Sequence, residues 1–215
     1  MYINIHSHKQ ISEKQFFIEN LYKEFDKVLE PGYYSVGLHP WYLSAESTDA
    51  PFTEVKKMST QPNVLAIGEC GLDKVCKTPF DLQVSLFQDH IKLANEIRKP
   101  LIIHCVRAYD EVLKLLRENH AEVPVIFHGF NKNKEILKKI LDSGFYVSFG
   151  AAVSSIKTAG VFKDVPMDQF FLETDNSPVS IAEVYAAAAA AKNISVETLS
   201  LQLNKNLQSV FNIRL

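Results

Sequence analysis

One pattern recurs along this chain and limits the folds open to it. Short runs rich in Val, Ile, Phe and Tyr alternate with longer amphipathic segments. The runs are Tyr2–His8, Tyr33–Pro40, Asn63–Gly71, Pro100–Cys105, Val123–Phe130, Gly144–Gly150 and Phe170–Asp175. Several are apolar on both faces, as in strands of a parallel sheet covered on each side. The intervening segments have helical period. In Pro79–Lys99, residues Phe80, Val84, Phe87, Ile91 and Ala94 recur at steps of three and four. Arg107–Asn119 and Lys132–Asp142 follow the same rule. Helix stops precede the next runs at Lys99-Pro100, Val123-Pro124 and Ser143-Gly144. The alanine-rich stretch Tyr185–Ala191, beside Ile181 and Val184, reads as a packed helix rather than a linker.

Repeated strand–helix units predict an all-parallel α/β fold. Seven strands are clear, and closing a single (β/α)8 TIM barrel needs an eighth. Gln15–Tyr22, with Phe16, Phe17, Ile18 and Leu21, is the candidate, although the same residues could begin a helix. As a strand it leaves a shortened first crossover, and 215 residues make a compact barrel of one domain, 1–215. Apolar residues at 47% exclude global disorder. With 23 Lys+Arg against 25 Asp+Glu, the net charge of -2 excludes nucleic-acid binding by bulk charge. Any polyanion site must be local or metal-borne.

Apolar runs such as Val64–Ile67 are far below the ~20 residues of a membrane span. No basic region leads an apolar stretch in Met1–His6, so no signal peptide is expected. Cys70, Cys76 and Cys105 are an odd number without CxxC spacing, which fits reduced thiols in the cytoplasm. No membrane contact or protein partner is expected.

Chemistry is legible at the run ends. Six of the seven clear runs finish in a His or an acid: His6 and His8, His39, Glu69, His104, His128 and Asp175. In a parallel barrel the C-terminal strand ends form one rim, so side chains distant in sequence converge. His6 and His8, two apart, point the same way and could grip one cation. Imidazoles with carboxylates suit Zn, Mn, Fe or Ni and, with enough water, Mg. Glu69 could bridge two ions, and Asp175 could be both ligand and proton acceptor. The plainer reading of a single strand-end His is a hydrogen-bonded core residue, and for His39 that reading is preferred. His90 and His120, within or after helical segments, are expected to face solvent or cap helices. No GxSxG elbow or glycine-rich phosphate loop is present.

Six motifs carry a family resemblance: Asn4-Ile5-His6-Ser7-His8, Ser35–Trp41, Ala66–Asp73, Pro100–Cys105, Phe127–Phe130 and Leu172–Asp175, with Gln83, Phe87 and Asn206 also fitting. In that order they resemble the TatD-related metal-dependent deoxyribonucleases of the metal-dependent hydrolase superfamily. The resemblance implies a TIM barrel and two divalent ions (Mg, Mn or Zn). By it, His6, His8 and Asp175 hold one ion, Glu69 bridges, and His104 and His128 hold the other. The implied reaction is hydrolysis of a DNA phosphodiester by a two-metal-activated water, with Asp175 and Glu69 catalytic.

Two positions depart from the family pattern. Asn4 stands where the family usually has Asp, and Val106 where it commonly has Arg, with Arg107 one place later. His39, Trp41 and Arg107 are the expected substrate contacts, and Tyr42 and Phe130 are further candidates for stacking on bases. Lys9, Lys132, Lys134, Lys138 and Lys139 could add local charge or form solvated faces. The expected substrate is DNA, preferably single-stranded or with frayed ends. The alternatives are a two-metal hydrolase of a small amide, ester or phosphoester, and a binding protein that has lost turnover.

Overall fold

The computed structural model describes residues 1–8, 15–43 and 49–215. Its eight strands are β1 (Ile3–Ser7), β2 (Phe16–Leu21), β3 (Tyr34–Val36), β4 (Val64–Asp73), β5 (Leu101–Val106), β6 (Val125–Phe127), β7 (Tyr146–Phe149) and β8 (Phe170–Leu172). They form one sheet in sequence order, β1 to β8. The pairings with defined register are parallel: Ile3 faces Phe16, Tyr34 faces Val64, Gly71 faces His104 and Val147 faces Phe170. A parallel bridge between Ser7 and Asp175 brings the chain beyond β8 back to β1. The fold is therefore the (β/α)8 barrel, as expected.

The helices are α1 (Asp49–Ser59), α2 (Phe80–Ile97), α3 (Tyr109–Glu118), α4 (Lys134–Asp142), α5 (Ile156–Phe162), α6 (Ile181–Lys192) and α7 (Val196–Phe211). Gln15–Tyr22 does contain a strand, β2. Both of its faces are covered, with Phe16 and Ile18–Leu21 buried. A lone surface helix would instead leave one side of this stretch in water. Most of the expected short first crossover falls on residues 9–14, outside the described residues, as does Lys9.

Two compact units are distinguished, 1–19 with 127–215, and 20–126. In the first, α6 starts with a reciprocal capping box between Ser180 and Glu183. It buries Ile181, Val184, Tyr185, Ala188 and Ala189, so the alanine run is packed as expected. The Tyr185 hydroxyl accepts from the Ile3 N–H at 3.0 Å and donates to the Ile3 carbonyl at 3.3 Å, fixing α6 on β1. From α7, the Asn206 amide donates to the carbonyls of Met167 (2.9 Å) and Phe170 (3.0 Å), holding β8 in place.

In the second unit, α2 buries Phe87, Ile91 and Ala94 of the apolar stripe read from the sequence, together with Leu86 and Leu93, while Phe80 and Val84 are only half-buried. It also buries His90 completely, against expectation. The imidazole is satisfied at both nitrogens: Nε2 accepts from the Leu38 N–H at 3.0 Å and Nδ1 lies 2.7 Å from the Leu86 carbonyl. Periodicity could not distinguish this from an exposed His, because the position borders the apolar stripe. His120 is exposed, as expected. Gly71 allows β4 to approach β5 beside His104. A Cβ at this position (φ 142°) would lie 2.1 Å from the His104 carbonyl oxygen.

Candidate metal centre

In the first unit, β1 delivers a fully buried His6 and, just past its end, a half-buried His8. Both imidazoles approach the same carboxylate oxygen. His6 Nε2 is 3.8 Å and His8 Nε2 is 3.4 Å from Asp175 Oδ1. The Asp175 N–H donates to the His6 carbonyl at 3.0 Å, so backbone pairing sets this approach. Asp175 has left-handed backbone (φ 51°), which Asp tolerates better than most residues. Its side chain remains 43% exposed, open to an incoming molecule.

Asn4 secures the same junction. Its amide donates to Thr174 Oγ1 at 2.8 Å, and its Oδ1 accepts from the Thr174 N–H at 3.1 Å. The departure from Asp thus keeps a paired contact next to Asp175. The His128 ring lies 4.4 Å from that of His6, centroid to centroid. Its Nδ1 is 3.4 Å from Oε1 of the fully buried Glu173. Glu173 also accepts from the Gly129 N–H at 2.8 Å and from the Ser148 hydroxyl. A carboxylate behind Nδ1 turns Nε2 outward, the usual arrangement of a metal-binding imidazole.

The second unit gathers His39, Glu69 and His104. His104 Nδ1 is 2.9 Å from Glu69 Oε1, and His39 Nε2 is 3.1 Å from the same oxygen. Asn20, buried in β2, aims the glutamate: its Oδ1 accepts from the Glu69 N–H at 2.6 Å and its Nδ2 reaches Glu69 Oε2 at 3.5 Å. Behind His104 stands Asp73, whose Oδ2 is 3.2 Å from His104 Nε2 and 2.6 Å from the Trp41 indole nitrogen. Burial alone would raise the Asp73 carboxyl pKa. The Trp41 indole, the Val75 N–H and His104 together outweigh it and hold the pKa below the ordinary value.

The donor sets fit a divalent cation. His104 has a carboxylate oxygen at each ring nitrogen, Asp73 Oδ2 at 3.2 Å from Nε2 and Glu69 Oε1 at 2.9 Å from Nδ1, so in the Nε2–H tautomer the Nδ1 lone pair would face Glu69. Two acceptors at that separation need a proton or a cation between them. His6, His8 and Asp175 likewise offer ligand atoms within 4.8 Å of one another, as do His39, Glu69 and His104. Nitrogen with carboxylate oxygen is the mixed set that Zn, Mn or Fe accepts.

A sequence model of the TatD-related DNases matches residues 17–212. This chain belongs to that family. It is 31% identical over 199 residues to the metal-dependent hydrolase YabD of Bacillus subtilis, spanning 84% of this chain and 78% of YabD. A metal-dependent hydrolase of Buchnera aphidicola is 30% identical over 197 residues, spanning 83% and 74% of the two chains. The crystal structure of the TatD homologue YJJV from Escherichia coli superposes with a TM-score of 0.87 at 22% identity, covering 99% of this chain and 98% of that one. A TatD family hydrolase from Entamoeba histolytica gives 0.82 at 16%, covering 98% and 97%. The family is thus that of metal-dependent hydrolases, on the barrel described above.

Of the residues singled out in the sequence, His6, His8, His128 and Asp175 come together in one unit, and His39, Glu69 and His104 in the other. His39 sits among the donors, and its Nδ1 also accepts from the Trp41 N–H at 3.1 Å. Trp41 is exposed, and Arg107 is exposed with φ 54°. Phe130 is no stacking surface: it is buried against Phe149, with centroids 5.6 Å apart.

Sequence reasoning missed the positioning roles of Asn20, Asp73 and Glu173. A signal existed for each, since each is a polar residue within or at the end of an apolar strand run. Gln83, noted only as part of the resemblance, accepts from the Asp73 N–H at 2.7 Å and donates to the Asp73 carbonyl at 3.1 Å. Among the described residues no helix is long and apolar enough to cross a membrane.

Proposed function

We propose that this chain is a deoxyribonuclease that hydrolyses DNA phosphodiester bonds with two divalent ions (Mg, Mn or Zn), preferring single-stranded or frayed ends. The observation that carries the reading is the approach of His6 and His8 to one oxygen of Asp175. In this reading His6, His8 and Asp175 hold one ion, and Glu69, His104 and His128 the other. The bridging role of Glu69 is carried over from the family. Such ions supply Lewis-acid charge to phosphate oxygens and make water a stronger nucleophile at neutral pH.

The chain's own residues do the rest. Asp175, partly open to solvent, takes the proton from the attacking water. Glu173 and Asp73 orient His128 and His104, and Asn20 orients Glu69. His39, Trp41 and Arg107 face the substrate. The three free thiols and the intracellular nature of the substrate suit a cytoplasmic setting.

The test is turnover of labelled single-stranded DNA after chelation and re-addition of Mg, Mn or Zn. Asp175→Asn should lower the rate roughly 100-fold or more with the circular dichroism spectrum retained. Glu69→Gln should lower metal content per chain in elemental analysis. Near-normal turnover by Asp175→Asn would remove that residue from the mechanism. Hydrolysis of a small ester or amide with none of DNA would replace this reading with that of a small-substrate hydrolase.

A further inference from the structure

Beside the His39–Glu69–His104 donors lies a set of aromatic rings that metal binding does not use. His39 caps a short 3-10 turn, Pro40–Tyr42, in which Pro40 occupies a first-turn position. The two residues after Pro40 keep their rings in water: Trp41 is 56% and Tyr42 is 60% exposed. Isolated exposed aromatics are commonplace, but these two are held. The Trp41 indole N–H is tied to the buried Asp73 at 2.6 Å, so the ring plane is fixed while the ring stays exposed. A Trp more often buries its apolar ring and uses the N–H as a polar handle near the surface, and here that order is reversed. Tyr42 lies on Tyr22, with centroids 4.6 Å apart and planes 17° from parallel.

Both exposed rings adjoin the donors. Trp41 is 5.2 Å from the His39 ring and 6.0 Å from the His104 ring, and Tyr42 is 5.6 Å from His39. Lys23 places its ammonium over the Tyr22 ring, 5.6 Å from the centroid, a cation beside the stack. Rigid aromatic faces with a cation alongside are how proteins hold unpaired bases without reading their sequence. A base-paired nucleotide has its faces covered by its neighbours and could not use them.

We propose that Trp41 and Tyr42, backed by Tyr22, form a subsite that stacks an unpaired nucleobase of the nucleotide next to the scissile phosphate. The subsite selects single strands by base stacking rather than by backbone charge, in a chain whose net charge is -2. This inference rests on the phosphodiesterase reading.

Trp41 is the sole tryptophan, so its fluorescence reports on this site alone. The experiment has two arms, each comparing a thymidine oligonucleotide with an abasic one carrying the same number of phosphates. In the first, Asp175→Asn protein, which spares the strand, is titrated while tryptophan emission is followed. Quenching by the thymidine strand but not by the abasic strand is expected. In the second, kcat/KM for cleavage is measured. The thymidine strand should be favoured roughly 10- to 100-fold. Trp41→Ala and Tyr42→Ala should each bring that ratio toward one, and Trp41→Phe should retain part of it. If Trp41→Ala fails to fold, Tyr42→Ala decides, because its ring is exposed.

The outcomes separate the two readings. Cleavage of both strands at equal rates without quenching overturns the subsite and leaves the nuclease standing. Base-dependent quenching without cleavage supports the subsite and overturns the nuclease. Neither quenching nor cleavage overturns both.

Discussion

Histidine 90 should make the protein sensitive to acid, and removing it should flatten that dependence. The side chain is fully buried in α2, packed 4.9 Å from the Phe52 ring. Its Nε2 accepts from the Leu38 N–H, so a proton there would set two donors against each other. Burial lowers its pKa from 6.5 to about 4, while the Leu86 carbonyl and Asp89 pull weakly the other way. A depressed folded-state pKa means that the unfolded chain takes up the proton first. The stability contribution is therefore fully present above pH 6.5 and is lost as pH falls from 6.5 towards about 4.

A shift of two to three units, at about 1.4 kcal/mol per unit, corresponds to roughly 3 kcal/mol in all, of which about 2 kcal/mol is lost by about pH 5. The assay is urea unfolding of wild type and His90→Gln at about pH 7.5 and about pH 5. The variant should be less stable at the higher pH by about 1–3 kcal/mol, having lost a buried acceptor. Its fall in stability between the two pH values should be smaller than that of wild type by about 2 kcal/mol. Every other group is common to the two proteins, so this difference isolates position 90. Equal falls in both proteins would refute the argument that His90 is held neutral.

Two further outcomes are expected. Glu173→Gln, which weakens the contact that aims His128, should lower divalent-metal affinity about 10- to 100-fold in a chelator competition. Unchanged affinity would mean that Glu173 only supports the backbone around Gly129. Gly71→Ala should destabilise the chain by more than about 3 kcal/mol, or prevent folding, because the new Cβ would sit 2.1 Å from the His104 carbonyl at a φ of 142°. A soluble variant with near-wild-type thermal stability would show that β4 can move away from β5 without cost.

The strand ladder is legible along the chain, because burial on both faces leaves a local trace: unbroken apolar runs with a helix stop before the next. So are the ends of those runs, where His6, His8, Glu69, His104, His128 and Asp175 stand out as polar residues after apolar ones. Even the eighth strand was visible in the apolar residues Phe16, Phe17, Ile18 and Leu21, although only its partner β1 could decide between strand and helix. Tertiary structure decided what each polar residue does. That Asp73 backs His104, that Glu173 backs His128, that Asn20 aims Glu69 and that Asn4 pins Thr174 all depend on contacts between strands far apart in the chain. The same holds for His90, buried rather than exposed, and for Phe130, packed in the core rather than open to a base. Hydrophobic periodicity is a property of neighbouring residues and can be read along a line. A hydrogen-bond partner is fixed only when sheet register brings two distant strands side by side.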